Sequence, residues 1–111
     1  MEKIFNKLVR DKIPEIIESN GEIPSIRVLS DEECDKALNA KLKEELSEVI
    51  NSKNKDELKE ELADLLEVII AKANINGITY SDIENVRQTK KQKRGAFDKK
   101  IYLISTKNKL E

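Results

Sequence analysis

Two long stretches with helical periodicity, separated by a short polar break, constrain the fold of this chain more than any other feature. Leu, Ile and Val recur every three or four positions through residues 31–51 and again through 56–76. That spacing predicts two amphipathic helices, and Ser30 followed by Glu33 is a capping-box pattern that predicts where the first helix begins. Because residues 52–55 contain only Ser, Lys and Asn, the two helices are expected to form an antiparallel hairpin.

Two shorter helices and two strands are predicted outside the hairpin. Gly21 is predicted to terminate the first of these helices, and Ser81 followed by Glu84 is a capping-box pattern that predicts the start of the other. The strands are predicted from β-branched residues that alternate with polar ones. In the order helix, strand, helix, strand, these elements cover residues 14–20, 23–29, 81–94 and 97–104. We expect the two strands to pair, so the predicted fold is a single all-α domain, residues 1–111, with a small two-stranded β-ribbon.

The composition limits the size of the core. Of 111 residues, 39% are charged, 38% are hydrophobic and only 4% are aromatic, which suits helix packing better than a sandwich or a barrel. A bundle this small buries a modest share of its surface. Self-association is therefore expected.

Charge and residue types exclude several classes of function. The net charge of −1 indicates neither a nucleic-acid binder nor a membrane-surface protein. No histidine is present, which rules out an imidazole base and histidine-ligated zinc. The single cysteine, Cys34, cannot form an internal disulfide, and the N-terminus lacks the features of a signal peptide. These observations predict a cytoplasmic protein.

Four carboxylates on the two long helices form the main candidate for a functional site. Glu45 and Glu48 lie three residues apart on the first helix, and Glu61 and Asp64 three apart on the second, so each pair shares one helix face. At about 100° per residue, Glu45 lies within the apolar stripe, Glu48 at its edge, and Glu44 nearly opposite. Asp64 lies on an apolar flank of the second helix.

Carboxylates on apolar flanks need compensation, because burying an unpaired charge costs free energy. A divalent cation would supply that compensation, and an all-oxygen ligand set favours Mg²⁺, with Mn²⁺ as a substitute, over zinc. Against this stands the possibility that the pairs are ordinary surface charges. In that case the chain would be a non-catalytic helical dimerisation module.

The same residues carry a resemblance to a known family. EELSE, twelve intervening residues, then ELAD resembles the motif of the all-α nucleoside triphosphate pyrophosphatases. The segments FNKLVRDKIPEII and KQKRGAFDKKIYL are similar to a MazG-like branch labelled phosphoribosyl-ATP pyrophosphohydrolase-like. The resemblance implies that Glu45, Glu48, Glu61 and Asp64 bind Mg²⁺, and that dimers or tetramers form.

The resemblance also implies a reaction. We expect hydrolysis of a nucleoside triphosphate to a monophosphate and pyrophosphate, as a step that cleans the nucleotide pool. Glu48 or Glu44 would accept the proton of water. The alternative enzymatic reaction is phosphoribosyl-ATP hydrolysis in histidine biosynthesis. Six basic residues are the candidate phosphate ligands, although those near the end of the last helix could simply interact with the helix dipole. They are Lys7, Arg10, Lys12, Lys90, Lys93 and Arg94.

Overall fold

The structure, a computed structural model, describes residues 1–110. All of the regular secondary structure in that range is helical. Its four helices are α1, Ile13–Ser19; α2, Asp31–Ile50; α3, Lys55–Ile75; and α4, Tyr80–Arg94. Every helix predicted from the sequence is present, with bounds that differ by no more than one residue. The chain divides into two compact units, Met1–Tyr80 and the part that begins at Ser81.

Capping side chains fix where the two long helices begin. The Ser30 hydroxyl accepts a hydrogen bond from the Glu33 N–H at 3.2 Å, and the Glu33 carboxylate accepts one from the Ser30 N–H at 3.2 Å. The predicted capping box is therefore confirmed. At α3 the side chain of Asn54 accepts from the Glu57 N–H at 2.9 Å. Asn54 is thus the cap, and α3 begins one residue earlier than the sequence pattern predicts.

The hairpin of α2 and α3 is the centre of the first unit. These two helices pack against each other, and Leu38 and Ala73 are the buried apolar side chains found within residues 1–110. Lys72 near the end of α3 donates to the Asp35 carboxylate near the start of α2 at 2.6 Å, and Asn76 donates to the same oxygen at 2.8 Å. The helices therefore run antiparallel, joined by residues 51–54 at one end and by these polar contacts at the other.

The N-terminal part of the first unit is an irregular segment followed by α1. Gly21 has a φ of +88°, and its N–H donates to the Glu18 carbonyl at 3.0 Å, so it terminates α1 as predicted. Residues 7–13 lie beside the hairpin, because side chains from this segment contact both long helices. They form one wall of the cleft described below.

The second unit begins at Ser81, the second residue of α4, and contains the rest of that helix and the segment that follows it. Gly95, with a φ of +81°, follows the last residue of α4. The predicted capping box at Ser81 is wrong, because α4 begins at Tyr80 and Ser81 therefore lies inside its first turn. The Glu84 carboxylate does not complete a capping box but accepts hydrogen bonds from Arg87 and Gln88.

The predicted β-ribbon is not seen in the part of the chain described, where neither 23–29 nor 97–104 is a strand. A period-two apolar pattern favours a strand only when one face of it packs on a core. Here the apolar side chains of both segments are almost all exposed, Ile23 and Phe97 at 96% each. No helix described is long and apolar enough to cross a membrane.

Candidate metal centre and its cleft

Three of the predicted carboxylates converge between α2 and α3. Glu45, Glu61 and Asp64 each offer an oxygen within 4.8 Å of the other two. Two oxygens on one Mg²⁺ are about 3.0 Å apart when adjacent and about 4.2 Å apart when opposite, since each lies about 2.1 Å from the ion. Side-chain rotations that shorten these separations would therefore bring one oxygen of each carboxylate to a single hard cation, and the donor set fits such an ion.

The surroundings of Glu61 destabilise its negative charge. The pKa of Glu61 is raised above its ordinary value, first because the side chain is partly desolvated and then because Glu48, Asp64 and Glu45 repel its negative charge. Like charges close together destabilise the ionised form of each carboxyl group. A cation bound among them would remove this penalty.

The glutamates predicted as metal ligands or proton acceptors differ in the exposure of their side chains. The Glu45 side chain is 14% exposed, whereas that of Glu44 is 41% exposed, in agreement with the helical wheel. Glu48 is exposed and lies outside the three-residue cluster, although its charge acts on Glu61. The structure therefore brings three of the four predicted ligands together and leaves Glu48 at the edge.

Two of the predicted phosphate ligands lie on the opposite wall of the same site. Arg10 donates from Nη2 to Asp64 Oδ1 at 2.7 Å, and the Lys7 ammonium lies 3.7 Å from Glu44 Oε1. The N-terminal wall is thus fastened to α3 by one ion pair and to α2 by the other. Both ion pairs are partly exposed, so their main effect is to position cations at the carboxylates rather than to stabilise the fold.

Lys41 also lies beside this cluster, although it is not among the candidate site residues predicted from the sequence. It lies one helical turn before Glu45, and its ammonium is 3.4 Å from Glu44 Oε2 and 3.9 Å from Glu45 Oε1. The i, i+4 spacing from Lys41 to Glu45 is the sequence signal that could have identified it.

A cleft of about 630 Å³ lies beside this cluster, between the N-terminal wall and the two long helices. Two of the three clustered carboxylates, Glu45 and Asp64, line it, and Glu61 does not. The other charged residues of its lining are Lys7, Arg10, Asp11, Lys41 and Glu67. Apolar and weakly polar side chains line the remainder, and these are Leu8, Val9, Ile13, Cys34, Leu38, Val68, Ala71 and Ile75. The apolar flank of α3 on which the helical wheel placed Asp64 is therefore a cleft wall.

The four remaining candidate phosphate ligands are exposed, each within its own unit. Lys12 is exposed at the residue that precedes α1. Lys90, Lys93 and Arg94 share one face of α4, where with Asn85, Val86 and Thr89 they line a shallow groove of about 380 Å³ in the second unit. Within that unit they form a cationic surface near the C-terminal end of a helix.

Converging carboxylates with cations nearby, as this helical hairpin has them beside its cleft, could hold a divalent cation together with an anionic ligand. Residues 35–100 match the MazG nucleotide pyrophosphohydrolase domain. This match covers more than half of the chain, including most of α2 and all of α3 and α4. The chain therefore belongs to the MazG nucleotide pyrophosphohydrolase family, which confirms the resemblance at the level of the family.

The chain is also similar to an uncharacterised protein of Mycolicibacterium smegmatis (strain ATCC 700084 / mc(2)155). The two are 59% identical over 39 residues, which is 35% of this chain and 40% of the relative. The chain thus matches less than half the length of that relative. No solved structure matches the chain significantly.

Proposed function

We propose that this protein hydrolyses a nucleoside triphosphate between its α- and β-phosphates and releases a monophosphate and pyrophosphate. The observation that carries this proposal is the cluster of Glu45, Glu61 and Asp64, two of which line a cleft that Arg10 and Lys7 also line. A polyphosphate needs cations around its oxygens, and a hydrolytic site for it needs bound metal or fixed positive charge. Family membership supports the same reaction class.

The metal in this proposal is Mg²⁺, with Mn²⁺ as a substitute, held by Glu45, Glu61 and Asp64 with Glu48 as a further ligand. When bound, it would stabilise the charge that develops on the phosphate oxygens. The hard all-oxygen donor set favours these ions over softer metals.

The chain's own residues bind the substrate and accept the proton. Arg10 and Lys7 orient the phosphates from the N-terminal wall, and Lys12, Lys90, Lys93 and Arg94 are further candidate phosphate ligands. Water attacks phosphorus, one P–O bond of the α–β anhydride breaks, and pyrophosphate leaves. Glu48 accepts the proton in preference to Glu44, because Glu44 has two ammonium groups beside it and Glu48 borders the cluster.

The active form in this proposal is a cytoplasmic homodimer or homotetramer acting on the nucleotide pool. Apolar side chains on α2 and α3 support self-association, because a single chain leaves many of them exposed. They include Leu46, Ile50, Leu58, Leu62, Leu66 and Ile69. Sedimentation velocity over a range of protein concentrations tests the oligomeric state, and a strictly monomeric protein would contradict this part of the proposal.

Replacement of Glu45 by Gln tests the metal assignment. We expect Glu45→Gln to lower Mg²⁺-dependent pyrophosphate release by at least about a hundredfold, since the substitution removes a ligand charge at the reacting centre. Glu60→Gln is the matched control, because Glu60 is an exposed residue of the same hairpin outside the carboxylate cluster. Circular dichroism should give the same helix content for both variants. Unchanged turnover in Glu45→Gln would contradict the assignment.

The substrate is identified by a panel of ordinary, deoxy and modified triphosphates together with phosphoribosyl-ATP. Pyrophosphate release from phosphoribosyl-ATP alone would move the proposal to histidine biosynthesis. Thermal melts separate both reactions from a non-catalytic dimerisation module. Such a module would gain no stability from Mg²⁺ and nucleotide, whereas a ligand at 100 times its Kd stabilises by about 2.7 kcal/mol.

A further inference from the structure

Lys41 is a charged residue of the cleft with unusual surroundings. Its side chain is only 18% exposed, although lysine side chains usually extend into water. Its ammonium lies against the carboxylates of Glu44 and Glu45, at 3.4 Å and 3.9 Å. Neither distance is that of a short charge-assisted hydrogen bond. Lys41 is therefore a largely covered cation held by loose contacts.

Neither carboxylate beside Lys41 depends on it in the proposed active state. Glu44 has a second cation, Lys7, at 3.7 Å from its other carboxylate oxygen. Glu45 is a proposed metal ligand, so a divalent ion would take over the neutralisation of its charge. The same ion would repel the Lys41 ammonium, because both are positive and would share one carboxylate.

The open space beside Lys41 is the cleft itself, which it lines together with Arg10 and Lys7. We propose that Lys41 is a polyphosphate-binding residue, held by Glu44 and Glu45 in the absence of a ligand and turned toward the phosphate oxygens once a metal occupies Glu45. This inference rests on the proposed function, because it deepens the same site. Lys41 then supplies from α2 the positive charge that Arg10 and Lys7 supply from the other wall.

A purely structural role makes a different prediction for metal binding. If Lys41 only held Glu45 in place, its removal would disturb a metal ligand and weaken the binding of metal alone. If Lys41 binds phosphate, its removal leaves metal binding unchanged or tightens it, because a neighbouring positive charge is lost. Metal alone and metal with polyphosphate are therefore measured separately.

The experiment compares Lys41→Met with Lys43→Met and uses Mn²⁺ and inorganic tripolyphosphate as probes. Lys43 is exposed on the same helix and does not line the cleft, so its substitution makes the same change in net charge away from the site. Electron paramagnetic resonance measures Mn²⁺ binding to the full chain. Isothermal titration calorimetry then measures tripolyphosphate binding to the Mn²⁺-loaded protein.

We expect Lys41→Met to bind Mn²⁺ within twofold of the wild type or more tightly. We also expect it to bind tripolyphosphate about tenfold more weakly, which is the scale of one lost charge-assisted hydrogen bond. Lys43→Met should match the wild type in both measurements, and Lys41→Arg should restore most of the tripolyphosphate affinity.

Two results would overturn the inference, and they differ in whether the proposed function also fails. If the wild type binds tripolyphosphate and Lys41→Met binds it equally well, or loses Mn²⁺ binding, Lys41 is not a phosphate ligand and the proposed function stands. If the Mn²⁺-loaded wild type does not bind tripolyphosphate, the proposed function fails together with the inference.

Discussion

Replacement of Leu38 by Ala tests whether a single chain builds the core between α2 and α3. Leu38 is 4% exposed, and truncation of a buried leucine to alanine costs about 2–5 kcal/mol. Because Leu38 also borders the cleft, neighbouring side chains can relax into the space that the substitution leaves. We therefore expect a loss near the lower end of that range, about 3 kcal/mol.

This loss converts to a shift in melting temperature through the entropy of unfolding. At about 2.1 cal/mol/K per residue, a chain of 111 residues loses about 0.23 kcal/mol of stability per degree near its midpoint. Leu38→Ala should therefore lower Tm by about 13 °C. Urea unfolding followed by circular dichroism measures the free energy, and differential scanning calorimetry measures Tm.

Leu46→Ala is the matched control, because it is the same substitution on the same helix at a residue that is 49% exposed. At low protein concentration its cost should stay below about 1 kcal/mol. Any further loss that arises from contact between copies should appear only as the protein concentration rises. A loss for Leu38→Ala no larger than that for Leu46→Ala in dilute solution would refute the reasoning.

Two further substitutions test the ends of the hairpin. Asn54→Ala removes the cap of α3 and should lower the free energy of unfolding by about 1 kcal/mol. Asn54→Asp keeps the cap and should recover most of that lost free energy. Equal urea midpoints for the wild type and both variants would contradict this prediction. Asp35→Asn should destabilise the protein at neutral pH, because the hydrogen bond from Lys72 and that from Asn76 hold the pKa of the Asp35 carboxyl below its ordinary 3.8. A carboxyl group with a lowered pKa stabilises the folded state fully above the pKa that it has in the unfolded chain, and this contribution is lost as the pH falls through its lower pKa in the folded protein. The difference in free energy of unfolding between wild type and Asp35→Asn should therefore vanish when urea titrations are repeated at successively lower pH.

The helices of this protein could be predicted because their signals are local. The Ser30 capping box and the glycine that ends α1 depend on neighbours within a few residues, and both are present in the structure. The strands could not be predicted in the same way. An alternating apolar pattern does not specify which surface will cover it, and residues 23–29 and 97–104 mostly have no such cover within residues 1–110.

The candidate site likewise has one part that could be predicted from the sequence and another part that could not. Convergence of Glu45 with Glu61 and Asp64 followed from helical spacing and from a short connection that forces the helices to run antiparallel. The ion pair of Arg10 with Asp64 joins residues 54 positions apart, and nothing in the local pattern of either residue indicates it. The position of the N-terminal wall is a tertiary contact, so only the structure could supply it.

The fastening of the α2–α3 hairpin at both ends has a kinetic consequence. Residues 51–54 connect the helices at one end, and Asp35 is held by Lys72 and Asn76 at the other. If a cation binds among the carboxylates as proposed, a hairpin held at both ends is expected to admit it without parting its helices about a hinge, a collective motion on the microsecond-to-millisecond scale. Entry and exit should instead follow rotation of the carboxylate side chains and loss of water from the ion. Exchange of the cation should therefore be insensitive to solvent viscosity and sensitive to the hydration of the ion chosen.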